Sequence, residues 1–345
     1  MRRTGIVVLA AGIPAVLGLT LVRVAYFGYP LPNTYYTKVS SDLLYRLAEG
    51  FRYVGGYFVD HPMSLFPAAV TMGLTADALR RWSRAEEEVE RSSAASERRR
   101  VALAAGMFVG VGFVSAVVVG GDHFFDHRFL QPYLPLLAPP LALGVSWGSA
   151  RVGPGRWKPL AFLAALVAVL FIVREWRAPY RSDIGISGYV MALEGRVIGD
   201  ALGTVLGDDP PVLGVWQAGG VGYAYRGPVR DLLGLNWVAM GHSPGDRKGV
   251  RDHAAFHEDT FWSDPPDLMI PVSLSVVESV GCPRRIWEDV LRGVMATPRF
   301  VRAFEPVVVR APDVDAIFAY ARTEWLDERQ APVVRLGWEV CGVQR

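Results

Sequence analysis

Charged and apolar residues are unevenly distributed along this chain, and long uncharged runs dominate its first half. Residues 101–121 and 129–150 carry no charged side chain, and each run is long enough to cross a bilayer as a helix, which needs about 20 residues. Together with three weaker stretches they predict five transmembrane helices, near residues 4–24, 62–79, 101–120, 129–148 and 159–173.

The first of these runs has two readings, a signal peptide or a membrane span. It covers residues 5–22 and follows two arginines, Arg2 and Arg3. A signal peptide has a shorter apolar region followed by a cleavage site of small residues, whereas Arg23 and a stretch rich in aromatic residues follow this run. We therefore interpret it as the first transmembrane helix.

The second half has the pattern of a water-soluble domain. Short apolar runs predict strands at residues 212–216, 229–233, 268–272 and 333–340, and helical periodicity predicts helices at residues 184–206, 286–295 and 314–326. This alternation is typical of an α/β layer domain. The predicted fold is therefore an α-helical multi-pass membrane bundle, residues 1–178, followed by an extracytoplasmic α/β domain, residues 179–345.

Basic residues predict the orientation of the bundle. If the two N-terminal arginines are cytoplasmic, the loops on the same side, residues 80–100 and 151–158, hold most of the other arginines of the first half. Cytoplasmic loops are enriched in Lys and Arg, so we predict a multi-pass protein of the cell membrane with a cytoplasmic N-terminus. The loops at residues 26–61 and 121–128, and the C-terminal domain, then lie on the outer face.

The composition excludes one class of partner and leaves the cysteines open. The chain has 345 residues, 51% of them hydrophobic, and a formal net charge of +2. It shows neither the basic surface nor a motif of a nucleic-acid-binding protein. Cys282 and Cys341 lack the spacing of metal ligands, and both a disulfide outside the cytoplasm and two buried thiols remain compatible with the sequence.

The segment between the first two predicted spans, residues 40–56, has apolar side chains on one helical face. They are Leu43, Leu44, Leu47, Phe51 and Val54, and their spacing indicates a helix. An amphipathic helix on the outer membrane surface and a tilted extension of the second span both fit this pattern.

The loop at residues 120–129 is the strongest candidate for chemistry. Its ionisable side chains are Asp122, His123, Asp126, His127 and Arg128. Such a set suits a metal, an acid–base pair or a phosphate, whereas the structural alternative is a polar turn in which Asp122 caps the next helix. We favour function, because five ionisable side chains in seven residues exceed what a cap needs.

A second candidate lies at residues 26–38, where two prolines, four tyrosines and Lys38 follow the first predicted span. It fits a site for a lipid-linked phosphate or an aromatic loop that anchors the helix at the membrane interface, and composition by itself favours the anchor.

Two other motifs are predicted to be structural. The glycine-rich run at residues 216–228 is interpreted as a tight hairpin-like turn, because a dinucleotide site requires a helix directly after the glycines. His253 and His257 lack the adjacent glutamate of the zinc protease motif and are interpreted as surface histidines on one helical turn.

Four stretches together resemble the second half of membrane glycosyltransferases of the GT-C superfamily. They are Arg23-x-x-Tyr-Phe-Gly-x-x-Leu-Pro-Asn-Thr-x-x-x-Lys38, Gly120-Gly-Asp-x-x-x-x-x-Arg128-x-x-x-Pro, Val229-Arg-Asp-Leu-Leu-Gly-Leu-Asn236 and Pro266-Asp-Leu-Met-Ile270. They span most of the chain, and the group they resemble is the actinobacterial terminal β-1,2-arabinofuranosyltransferases with their bacterial relatives.

The resemblance implies an enzyme in the lipid bilayer that passes a sugar, arabinofuranose in that group, from a polyprenyl-phosphate donor to a cell-envelope glycan. It implies that Lys38 and Arg128 lie near the donor phosphate and that Asp122, the candidate catalytic residue, lies near the sugar. The same site would include Asn33, Asp126 and His123. No cofactor and no metal site are expected, and dependence on a divalent metal stays open.

One departure from the family pattern qualifies this expectation. The family carries a key acidic pair in a first outer loop, and no such loop precedes Arg23 here. A truncated gene model, one half of a split protein that pairs with a separate N-terminal half, and a degenerate copy all fit this observation. If that loop supplies the catalytic base, we expect this polypeptide to be inactive alone.

Two hypotheses about function result. In the first, a carboxylate deprotonates the acceptor hydroxyl while cations stabilise the leaving lipid phosphate, which gives an inverting sugar transfer. In the alternative, the chain is a non-catalytic, membrane-anchored protein that binds glycan or assists assembly through its outer domain.

Overall fold

The computed structural model describes residues 2–84, 93–122, 127–152, 183–216, 218–248, 253–270, 290–311, 314–328 and 332–341, with three isolated positions between 159 and 173. The chain divides into two compact units. The first combines Met1–Val39 with Tyr189–Arg345, and the second is Ser40–Gly188. Each unit is described by itself.

The N-terminal part of the first unit consists of two helices. Helix α1 (Arg2–Phe27) has 26 residues and is followed by Gly28, whose φ of +80° is one that glycine adopts without steric cost. Helix α2 (Asn33–Lys38) begins directly after Pro32, which has an extended backbone and ends the preceding turn.

The second unit contains four helices, α3 (Leu43–Asp60), α4 (Leu65–Arg84), α5 (Ser93–Val119) and α6 (Ala138–Val152). The carboxylate of Asp42 accepts a hydrogen bond of 3.0 Å from the Tyr45 amide and so caps α3. A 3₁₀ turn, Pro62–Ser64, separates α3 from α4. Residues 43–60 therefore form a helix of their own, and the interpretation as an extension of the second predicted span is wrong.

The predicted bundle of five membrane spans is wrong. Among the described residues one helical segment, Arg100–Val119, is long and apolar enough to cross a membrane, and Gly12–Phe27 is a shorter apolar segment. Length and composition alone underlie this assignment. The chain also contains twelve α-helices and a six-stranded mixed sheet within its described part, which a five-span bundle does not accommodate.

Local sequence explains where the span prediction failed. The second predicted span falls in α4, whose C-terminal half carries Asp77 and Arg80 and is too polar to count as a span. The fourth is interrupted, because prolines place a 3₁₀ segment, Gln131–Leu137, before α6 and leave a helix of 15 residues. The fifth, residues 159–173, lies outside the described residues except for isolated positions.

The C-terminal part of the first unit is an α/β domain. Its elements, in chain order, are α7 (Asp183–Val205), β1 (Leu213–Val215), α8 (Ala218–Ala224), β2 (Val229–Asp231), α9 (Val238–Gly241), α10 (Glu258–Ser263), β3 (Leu268–Ile270), α11 (Pro298–Ala303), β4 (Phe304–Ala311), β5 (Val314–Arg322), α12 (Thr323–Asp327) and β6 (Val333–Arg335). The sheet has the order β2-β1-β3-β5-β4-β6. Strand β1 is parallel to β2 and β3, and the remaining pairs are antiparallel.

Several predicted elements of this domain are confirmed and others are wrong. Strands β1, β2 and β3 lie within the three predicted strands, and α7 matches the predicted helix at residues 184–206. The helix predicted at residues 314–326 is wrong, because β5 and then the short α12 occupy it. The last predicted strand shortens to β6. Of the helix predicted at residues 286–295, the first four residues lie outside the described chain.

The glycine-rich run after β1 forms a helix. Helix α8 connects β1 to the parallel strand β2, so the predicted hairpin-like turn is wrong. Its glycines allow close packing on α7. A Cβ placed on Gly220 would overlap the carbonyl oxygen of Ala192, and one on Gly199 would lie 2.8 Å from the carbonyl oxygen of Val221.

Apolar side chains cover both faces of the sheet. One face packs aliphatic residues of the strands against α7 and α8, with Leu202, Leu213 and Val221 fully buried. The other face is aromatic and includes Phe300, Phe304 and Tyr320. Neighbouring strand residues alternate between these faces, as the two-residue period of a strand requires.

Candidate functional site

The loop that contains the predicted site begins where α5 ends. Gly121 donates its amide to the Ala116 carbonyl at 2.8 Å, and Gly120 donates to the Val117 carbonyl at 3.2 Å. Both glycines have positive φ, +90° and +74°. These two bonds form a Schellman motif, which ends the apolar helix and places Asp122 directly after it.

Asp122 and Arg128 form an ion pair between Asp122 Oδ2 and Arg128 Nε. The Asp122 side chain is 1% exposed, whereas 45% of the Arg128 side chain is accessible. The buried carboxylate therefore orients the arginine, whose side chain stays partly accessible. Residues 122 and 128, both predicted to belong to the site, are brought together.

Side chains from the end of α3 lie beside this loop. The Tyr53 hydroxyl accepts a hydrogen bond of 3.1 Å from the Phe129 amide. The ring centroid of His127 lies 4.9 Å from that of Tyr53 and 5.5 Å from that of Tyr57. His127 Nε2 is 3.9 Å from a carboxylate oxygen of Asp60. The second unit therefore brings an imidazole, two phenols and a carboxylate together next to the loop that holds the Asp122–Arg128 pair.

Two predicted site residues, His123 and Asp126, lie outside the described residues. Within the part of the chain that the structure describes, no group of three or more His, Cys, Asp or Glu side chains is arranged to hold a metal ion.

Asn33 and Lys38, the other two predicted site residues, belong to the first unit. The Asn33 amide donates to the carbonyl oxygens of Gly234 at 2.6 Å and Leu235 at 2.9 Å. Both of its N–H groups are thus used within the chain, and they tie α2 to the loop after β2. Lys38 is half-buried at the last residue of α2.

That loop is organised by a buried carboxylate, Asp231, at the end of β2. It accepts hydrogen bonds of 3.0 Å from the amides of Leu233 and Asn236 and one from the Asn236 side chain. Burial raises the pKa of Asp231 above its usual value of 3.8, and the hydrogen bonds from Asn236 and Leu233 oppose that rise.

His242 and Arg247 complete the contacts of α2. The His242 ring contacts the rings of Tyr29 and Tyr36, with centroid distances of 3.8 Å and 4.0 Å. Burial, and then the charge of Arg247, lower the pKa of His242. Burial also lowers the pKa of Arg247; its guanidinium donates to the carbonyl oxygens of Tyr36, Gly241 and Ser243.

The raised pKa of Asp231 predicts a specific pH dependence. Between pH 3.8 and the higher pKa of the folded chain, the folded state binds more protons than the unfolded state. The free energy of unfolding that this group contributes therefore falls as pH rises through that window. Asp231→Asn removes the titration. We expect the difference in unfolding free energy, wild type minus variant, to be largest near pH 4 and to shrink towards pH 7 in urea titrations.

Asp200→Asn, at an exposed position of α7, is the control for removing one negative charge. A wild-type advantage over Asp231→Asn that grows with pH would contradict the assignment.

The residues at the end of α3 were not among the predicted site residues, and the structure of the His253 and His257 segment differs from its prediction. The run Asp60-His61-Pro62 was the available signal, because ionisable residues there precede a proline that ends a helix. His257 is the N-cap of α10 and accepts a hydrogen bond from the Thr260 amide. His253 precedes that helix, so the interpretation as one helical turn is wrong.

Comparison with known proteins identifies no family for this chain. No model of a known protein family matches this chain, and neither the curated proteins nor the solved structures contain a match.

Proposed function

We propose that this chain is a membrane glycosyltransferase, or the donor-binding part of one, that uses a polyprenyl-phosphate sugar. The sugar, arabinofuranose in the group that the sequence resembles, passes to a cell-envelope glycan on the outer face of the cell membrane. Arg128 binds the phosphate of the donor in this proposal, and Asp122 holds Arg128 in position.

The observation that carries this proposal is the Asp122–Arg128 pair at the end of an apolar helix. Segment Arg100–Val119 has the length and composition to cross a membrane, and the pair begins three residues after it. A lipid-linked phosphate lies at the boundary of the hydrocarbon region, so a cation that binds it belongs at such a helix end.

The chemistry of the pair suits a phosphate. A guanidinium offers several N–H groups in a planar fork that matches phosphate oxygens. Nε makes the ion pair with Asp122, and nearly half of the Arg128 side chain is accessible. A buried carboxylate behind the guanidinium limits its rotamers, which reduces the entropy lost when a phosphate binds.

Arg128→Ala tests the proposal on the full chain. We expect affinity for polyprenyl phosphate to fall about 30-fold, since hydrogen bonds to charged groups contribute about 2 kcal/mol. Transfer of label from polyprenyl-phosphate sugars to cell-envelope glycan should fall below detection in isolated membranes. Arg128→Lys keeps the charge but loses the fork, so an intermediate affinity is expected.

The matched control is Arg52→Ala, which removes an arginine from the same unit whose side chain is 70% exposed. It should leave binding and transfer unchanged, and thermal unfolding of each variant separates misfolding from loss of the site. Unchanged affinity in a folded Arg128→Ala protein would exclude the phosphate site. Binding of polyprenyl phosphate without transfer of any labelled sugar would exclude a complete enzyme and leave the donor-binding part or the non-catalytic alternative.

A further inference from the structure

His127 has a backbone conformation that is uncommon for residues other than glycine. Its φ is +49°, in the left-handed region that side chains with a Cβ rarely adopt. The conformation is held from both sides, because the His127 carbonyl accepts a hydrogen bond of 2.8 Å from the Leu130 amide and the Tyr53 hydroxyl binds the Phe129 amide. Backbone strain that the surroundings enforce in this way is concentrated at functional sites.

The imidazole lies among the rings at the end of α3. Its side chain is 13% exposed, and the centroids of Tyr53, Tyr57 and His61 lie 4.9, 5.5 and 6.1 Å from its own. Tyr53 and Tyr57 are buried. These rings fix the orientation of the imidazole and exclude water from most of its surface.

The two ring nitrogens of His127 have different surroundings. Nδ1 is inaccessible to solvent, whereas Nε2 lies 3.9 Å from Oδ2 of Asp60, whose side chain is 64% exposed. That distance is too long for a hydrogen bond, but a negative charge so close stabilises the imidazolium that forms when Nε2 takes up a proton. A proton that reaches the ring from outside therefore goes to Nε2 and not to the inaccessible Nδ1.

Asp122 is poorly placed for the same task. Its side chain is 1% exposed and is paired with Arg128, so a substrate hydroxyl has almost no access to the carboxylate. His127 is the residue next to Arg128, and its Nε2 faces an accessible carboxylate. The proton acceptor and the proposed phosphate-binding group thus occupy adjacent positions of one loop.

We infer that His127 accepts the proton of the acceptor hydroxyl during sugar transfer, with Asp60 stabilising the imidazolium; this inference rests on the proposed function. The hydroxyl oxygen attacks the anomeric carbon of the donor and forms the new glycosidic bond. The bond from that carbon to the phosphate oxygen breaks, and its electron pair leaves with the phosphate beside Arg128. The hydroxyl proton moves to His127 Nε2, so the step balances without a further reactant.

His127→Gln in the full chain tests the inference. We expect kcat to fall about 10²- to 10⁴-fold, the range for loss of general base catalysis, while affinity for polyprenyl phosphate stays within twofold of the wild type. Asp60→Asn should lower kcat by a smaller factor. Arg52→Ala is the control, because that side chain is 70% exposed on the same helix, and it should keep kcat within threefold.

The pH profile supplies a second readout. In the wild type, kcat should rise with pH as one group deprotonates, and that limb should be absent in His127→Gln and displaced to lower pH in Asp60→Asn. Among the described residues, the titratable groups in contact with the imidazole are Tyr53, Tyr57, Asp60 and His61, from α3 and its end. Asp122 and Arg128 are the charged residues of the described part of its own loop.

The outcomes separate this inference from the function on which it rests. A wild type that neither binds polyprenyl phosphate nor transfers sugar would refute the proposed function. A wild type that transfers sugar, with His127→Gln retaining kcat within threefold, would refute only the role of His127. If His127→Gln does not fold, a wild-type profile that is flat between pH 5 and 8 refutes that role.

Discussion

Gly220→Ala should lower the thermal unfolding midpoint of the full chain in detergent by about 10 °C. The added Cβ would overlap the carbonyl oxygen of Ala192 and lie 2.8 Å from the amide nitrogen of Arg196. Both are backbone atoms of α7, so a side-chain rotation cannot relieve the overlap. Overpacking of this kind costs about 3 kcal/mol, and about 1 kcal/mol displaces the midpoint by 2–4 °C in a domain of this size.

Gly222→Ala is the matched control in the same seven-residue helix. A Cβ at Gly222 meets no atom within 4 Å, and alanine in a helix is about 0.5–1 kcal/mol more favourable than glycine. The control should therefore unfold at the same temperature as the wild type or slightly above it. If the two variants have equal midpoints, α7 and α8 do not approach as closely as described.

The composition of the glycine-rich run explains why a turn was predicted where helix α8 forms. Seven residues that include three glycines have low intrinsic helix propensity, and the pattern alone favours a turn. The close approach of α7 compensates for that low propensity, because the glycines let two backbones come into contact. This stabilisation depends on residues about 20 to 30 positions earlier, which local propensity does not register.

The strands of the sheet differ in how far the local sequence determines them. The first three strands follow short, bounded apolar runs, which is the pattern of a buried parallel strand, and they were predicted. Strand β5 was predicted as a helix, and the structure buries the consecutive residues Ile317, Phe318 and Ala319. Periodicity cannot distinguish a strand buried on both faces from a buried helix. Pairing with β3 and β4 determines the outcome.

The candidate site likewise has a part that the local sequence predicts and a part that depends on contacts between distant segments. Asp122 and Arg128 are six residues apart, and their chemistry and proximity were visible in the sequence. The contacts of His127 with α3, and those of Asn33 with Gly234 at a separation of 201 residues, depend on packing between distant segments. The ionisable residues in the sequence therefore predicted the loop, but they did not predict the residues of α3 that contact it.

Arg247→Met should lower the thermal unfolding midpoint by a similar amount, about 10 °C. It should also weaken the attachment of α2 to the segment that contains Gly241 and Ser243. The guanidinium donates to Tyr36 O at 2.8 Å, to Gly241 O at 2.9 Å and to Ser243 O at 2.7 Å. Methionine fills much of the same volume but donates nothing, so three carbonyl groups lose their donor. Each loss costs about 1–3 kcal/mol where water cannot replace it, and the lower end of that range gives about 3 kcal/mol for the three carbonyl groups.

Hydrogen exchange distinguishes this effect from general destabilisation. Since Tyr36 belongs to α2, peptides covering residues 29–38 should exchange faster in Arg247→Met, whereas peptides of β4 and β5 should remain protected. Arg247→Lys retains the charge and one or two donors and should lie between the variant and the wild type. The control is Arg226→Met, at an exposed position, which should change neither midpoint nor exchange. Unchanged exchange at residues 29–38 in Arg247→Met would show that Arg247 does not hold α2.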